Sequence, residues 1–165
     1  MTRTVGRLLT VVLLGLAAPA AAVAADDATP AQTCKTEKTG IGTPTFKKTY
    51  AARSTAKAMA ACRKRAVEAG GDAAKNAAKE CKAERAADPE GFKARYGTHK
   101  NARNAYGRCV SSKAKAKTEA RTEARVNAAK TCRKAQADDP AAFAKAWGSG
   151  KRAFGTCVSA TAKEG

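Results

Sequence analysis

The sequence predicts an all-α protein: three tandem disulfide-stapled helical hairpin units, each helix, short helix, helix, after a cleaved signal peptide. Three observations predict it. Six cysteines fall in pairs of similar span, Cys34 to Cys62, Cys81 to Cys109 and Cys132 to Cys157. The eight aromatic residues occupy matching slots within those spans. The chain after the first 25 residues is rich in alanine and lysine, which favour helix over strand.

Residues 1–25 read as a secretory leader. Arg3 and Arg7 open it without an acid, an apolar run extends from Leu8 to Ala18, and small residues up to Ala25 precede Asp26. The apolar run is well short of the roughly 20 residues that span a bilayer, so no integral membrane segment is expected after processing. Residues 26–33 are expected to be a flexible N-terminal segment.

The units follow at 34–69 (a diverged copy), 72–117 and 118–163. Asn76-Ala77-Ala78-Lys79-Glu80-Cys81 recurs as Asn127-Ala128-Ala129-Lys130-Thr131-Cys132, and Asp88-Pro89 recurs as Asp139-Pro140. Phe46, Phe92 and Phe143 are equivalent, as are Tyr50, Tyr96 and Trp147. Met59, Tyr106 and Phe154 each stand three residues before the unit's second cysteine. Self-similarity at such a period is the mark of a repeat architecture. Within a unit, aspartate then proline is an N-cap followed by a first helical residue that needs no donor, which starts the short helix. Gly97 and Gly148 are placed to stop it. The third helix of the second unit extends past Cys109. The first copy lacks Asp-Pro, so its stretch Gly40 to Pro44 is expected as a loop, and Gly70-Gly71-Asp72 as a break between copies. Each unit is expected to touch mainly its neighbours, as in solenoids.

No leucine occurs after Leu16, and alanine buries little surface. Covalent support is therefore expected, paired within units as Cys34–Cys62, Cys81–Cys109 and Cys132–Cys157. Closing a loop of that length stabilises by roughly 3.5 kcal/mol on the chain-entropy model. An even cysteine count behind a leader points to an oxidising compartment. With no CxxC pair and a single histidine, His99, no metal site is expected. The aromatics are expected in the core rather than as stacking platforms for bases or sugars.

The segment Asp88-Pro89-Glu90-Gly91-Phe92-Lys93-Ala94-Arg95-Tyr96-Gly97-Thr98, with Lys100 to Ser111, resembles small secreted, uncharacterised Ala/Lys-rich, cysteine-containing repeat proteins of high-GC Gram-positive bacteria. The likeness covers about 35 residues, and the last copy more loosely. It implies export and repetition, and carries over no activity and no catalytic residue.

Charge narrows the function. Arg3 and Arg7 leave with the leader, so 30 of the 32 basic residues face 14 acids, a net charge near +16. That exceeds the roughly 2–8 that keeps a small domain soluble, and an anionic partner would relieve the self-repulsion. Lys113, Lys117, Arg121 and Arg125 recur every four residues, which predicts a basic ridge along one helix face and a candidate polyanion-binding site. Glu119 and Glu123 belong to a tandem Thr-Glu-Ala-Arg filler. No Ser-His-Asp set, phosphate loop or other catalytic constellation is present, and no cofactor is implied. The expected function is that of a secreted, basic, non-enzymatic binding protein for acidic polymers: anionic cell-wall polymer, acidic polysaccharide or extracellular nucleic acid. It would be extracellular or loosely cell-wall associated. The alternative is a structural or protein–protein interaction module whose charge is incidental.

Overall fold

The computed structural model describes residues 29–98 and 101–164; the leader expected at 1–25, and His99, lie outside the described residues. Those residues form seven helices and no strand: α1 Pro30–Ile41, α2 Thr43–Thr49, α3 Thr55–Ala87, α4 Pro89–Tyr96, α5 Ala105–Asp138, α6 Pro140–Trp147 and α7 Ala153–Glu164. Three disulfides join Cys34 to Cys62, Cys81 to Cys109 and Cys132 to Cys157.

Local chemistry sets the helix ends. At α4 and α6, Asp88 and Asp139 accept from the amides of Gly91 and Ala142 at 2.9 and 2.8 Å, each with proline next in the chain. Gly148, at φ 87°, ends α6 in a conformation that suits glycine.

Three expectations about the first unit and its boundary give way. Helix α1 begins at Pro30, inside the stretch expected to be flexible. A capping box fixes it there: Thr29 Oγ1 accepts from the Gln32 amide at 3.2 Å and Gln32 Oε1 from the Thr29 amide at 2.6 Å. The loop expected from Gly40 to Pro44 shrinks to Gly42, at φ 78° between α1 and α2. Pro44 sits in the first turn of α2, where its missing donor costs nothing. The break expected at Gly70-Gly71-Asp72 is absent, and α3 runs straight through it. Two helical glycines cost about 1 kcal/mol each, but Ala73 and Ala77 are fully buried and hold the segment helical.

The units are not beads in series. Helix α3 carries both Cys62 of the first unit and Cys81 of the second, and α5 carries both Cys109 and Cys132. The pair packs antiparallel along its length, and α1 lies against both. As a result the first and third units share one end of the molecule. Cys34, Ile41, Phe46, Ala58 and Cys62 form a single core with Ala129, Cys132, Phe143, Phe154, Cys157 and Val158. The second unit keeps a smaller core at the other end: Cys81, Phe92, Ala105 and Cys109, flanked by Tyr96, Tyr106 and Val110. This corrects the solenoid expectation. Two close approaches explain it: a Cβ on Gly40 would stand 3.1 Å from Val126 Cγ1, and one on Gly155 would stand 2.6 Å from the Thr49 carbonyl oxygen. Bare glycine lets α1 seat on α5, and α7 on the end of α2.

Candidate functional site

The four residues of the predicted ridge do share one face of α5, and that face is turned toward the rest of the protein. Lys113 Nζ lies 3.4 Å from Glu84 Oε2 and 3.8 Å from Glu80 Oε2, and Lys117 Nζ lies 2.8 Å from Glu80 Oε1. Arg121 donates to the Ala69 carbonyl at 2.7 Å. Arg125 donates to Glu37 Oε1 and to the Tyr50 hydroxyl, both at 3.1 Å. Three of the four predicted ridge residues, Lys113, Lys117 and Arg125, are therefore paired across a seam between helices, while Arg121 stays exposed with no carboxylate partner among the described residues. Glu37, Glu80 and Glu84 on α1 and α3 relieve the like-charge repulsion among those three.

The electrostatics of the seam follow from these contacts. The hydrogen bond from Lys117, with the charges of Lys117 and Lys113, holds the Glu80 carboxyl below its usual range. Around Glu37, which is 2% exposed, the Tyr50 hydroxyl donates to Oε2 at 2.9 Å. Burial first, then the Glu37 charge, pushes the Tyr50 phenol well above its ordinary value. Burial works against the Arg125 charge, but Glu37 and Tyr50 outweigh it and hold Arg125 protonated. The Arg125 and Arg65 guanidinium carbons lie 5.4 and 5.9 Å from the Tyr50 ring centroid.

Exposed cations with no carboxylate partner among the described residues, such as Lys75, Lys79 and Arg121, lie along the helices, but six that border acid-free concave surfaces gather where the first and third units meet. Helix α2 ends in a tight turn: the Ala51 and Ala52 amides donate back to the carbonyls of Lys48 and Lys47, with Ala51 at φ 50°. That turn divides two clefts. One, of about 380 Å³, is bordered by Lys47, Lys48 and Arg53 of the first unit and Lys151 of the third. The other, of about 450 Å³, takes Arg65 from α3 and Arg152, Thr156 and Ser159 from the third unit. No acid lines either cleft. None of these six cations has a carboxylate within 4.0 Å among the described residues.

A third cleft, of about 400 Å³, lies in the second unit, bordered by Arg85, Lys93 and Arg103 with Phe92 and Tyr106 as its apolar wall. It too has no acid in its lining and sits at a left-handed alanine, Ala102 at φ 50°. A groove of about 370 Å³ between α1 and α5 is different in kind, since Glu119 and Glu123 line it and disfavour an anion. Among the described residues no group of three or more metal-ligating side chains comes together.

Periodicity within one helix missed the clefts, because the cations of each come from different helices and the turns between them. The distribution of acids carries the signal. From 38 to 67 the chain has eight lysines and arginines and no acid, from 91 to 118 another eight and no acid, and from 140 to 163 four and none. The acids are gathered in the stretches between, where α3 and α5 pack together. The four phenylalanines are buried and Tyr50, Tyr96, Tyr106 and Trp147 are packed against the two cores, so the aromatics belong to the interior. No helix among the described residues is long and apolar enough to cross a membrane. Comparison with known protein families, with curated proteins and with solved structures finds no match.

Proposed function

We propose that the protein is a secreted, non-enzymatic binder of acidic polymers. One observation carries the reading: six cations with no acid among them gather where the first and third units meet. Unpaired charges around a concave surface concentrate field lines, and a polyanion binding there releases condensed counterions. The hydroxyls of Thr156 and Ser159 add neutral donors suited to sulfate, phosphate or carboxylate oxygens. Export is supported by the leader-like start and by the three disulfides, which persist in an oxidising compartment.

Salt elution from a heparin matrix tests it. The protein should be retained to well above about 0.2 M salt. Replacing Lys47, Lys48, Arg53 and Lys151 together by glutamine should lower the eluting concentration more than replacing Lys113 and Lys117. Elution below about 0.2 M, no later than a small basic control, overturns the reading. Capture of a protein partner that survives high salt would then favour the interaction module.

A further inference from the structure

We infer that the protein has two anion-binding ends on one rigid rod, and so cross-links acidic polymers rather than merely coating them. The inference rests on the polymer-binding reading above and adds its valence and geometry.

Helices α3 and α5 have 33 and 34 residues, which at 1.5 Å per residue makes each about 50 Å long. They are packed antiparallel and clamped at both ends by disulfides, Cys81–Cys109 at one end, Cys34–Cys62 and Cys132–Cys157 at the other. Arg53 precedes the first residue of α3, and Arg85 lies in its last turn. Arg103 precedes α5, and Lys151 belongs to the unit packed around its far end. The acid-free clefts of Lys47, Lys48, Arg53 and Lys151 and of Arg85, Lys93 and Arg103 therefore stand at opposite ends of the rod.

Both clefts form at the turn between a short helix and the helix that follows, and both place an alanine there at φ 50°. They are the same device in the first and second units. The third unit's turn instead supplies Lys151 to the first unit's cleft, so three copies yield two sites. The sites are unequal. Lys93 is paired with Glu90 at 2.8 Å, which leaves Arg85 and Arg103 as the available charges of the weaker end. Between the ends, Glu68, Asp72, Glu80, Glu119 and Glu123 are interspersed with the basic residues. What distinguishes the tips is a cleft bordered by cations and lined by no acid, which a polymer strand can enter. A rod about 50 Å long, several Debye lengths at about 0.15 M salt, lets two strands be held without repelling each other.

Long poly-L-glutamate mixed with the protein tests this by light scattering, and a short glutamate oligomer by titration calorimetry. The expected result is strong scattering near charge equivalence that fades in excess protein, and two unequal oligomer sites. Replacing Lys47, Lys48, Arg53 and Lys151 by glutamine, or Arg85 and Arg103 by glutamine, should each leave one site and abolish the scattering while retention on the matrix persists. A mid-rod control, Lys75→Gln with Lys79→Gln, should keep both sites and the scattering. Scattering by either one-ended variant at the level of the unaltered protein, an equal loss in the control, or a single oligomer site in the unaltered protein overturns the inference. Failure of the unaltered protein to bind polyglutamate at all overturns the parent reading instead.

Discussion

Glu37 illustrates how much one residue decides in a protein with so little apolar volume. Its carboxylate is almost fully buried beside Arg125 and Tyr50, and it ties α1 to α5 and to the end of α2. Removing one member of a buried pair leaves the other uncompensated, so Glu37→Ala should cost about 3 kcal/mol in urea-monitored stability. Replacing Glu37 and Arg125 together by methionine should recover much of that loss, because no charge is then stranded. Tyr50 sets the alkaline limit. Its phenol binds its proton more tightly in the folded than in the unfolded protein, so its contribution is complete below the ordinary value of 10.0 and is lost as pH climbs beyond it. Urea midpoints should fall between about pH 9 and about pH 11, and fall less in Tyr50→Phe. Ala51 and Ala102 hold a left-handed conformation that costs an L-residue about 1 kcal/mol. Glycine at either position should raise the melting temperature.

At the scale of elements, the long helices carry a correctable weakness and the short ones depend on contact. Gly71 lies mid-helix in α3, exposed, and a Cβ there meets nothing within 4 Å. Gly71→Ala should therefore stabilise by about 0.5–1 kcal/mol. Gly155→Ala should do the reverse, since its Cβ would press 2.6 Å from the Thr49 carbonyl oxygen and lift α7 from α2. The two glycines are indistinguishable by residue type; their surroundings give the substitutions opposite signs. The disulfides act on the same scale. Cys81–Cys109 staples the smaller of the two cores, so Cys81→Ala with Cys109→Ala should cost roughly 3 kcal/mol, read as lost helicity on warming.

For the whole molecule, three covalent links stand in for a leucine-rich interior. Complete reduction should collapse far-ultraviolet helicity at room temperature, and unchanged melting after reduction would show that alanine packing suffices without them. The molecule also divides its charge. Lys113, Lys117 and Arg125 are paired with Glu37, Glu80 and Glu84, while the cations bordering the clefts at the first and third units have no carboxylate within 4.0 Å among the described residues. A charge count treats the two groups alike, although the first is already paired within the protein.

The residues alone determined the helical class, the short helices at Asp88-Pro89 and Asp139-Pro140, the aromatic slots and the cysteine pairs, because each follows from propensity, capping or spacing along a single stretch of chain. Only the tertiary structure decided that α3 and α5 each run through two units, and that the first unit packs on the third. It also set Lys113, Lys117 and Arg125, three of the four residues in the basic rhythm, against acids on other helices. Periodicity defines a helix face but not what that face meets: here acids from Glu84, 29 positions from Lys113, to Glu37, 88 positions from Arg125, pair with it.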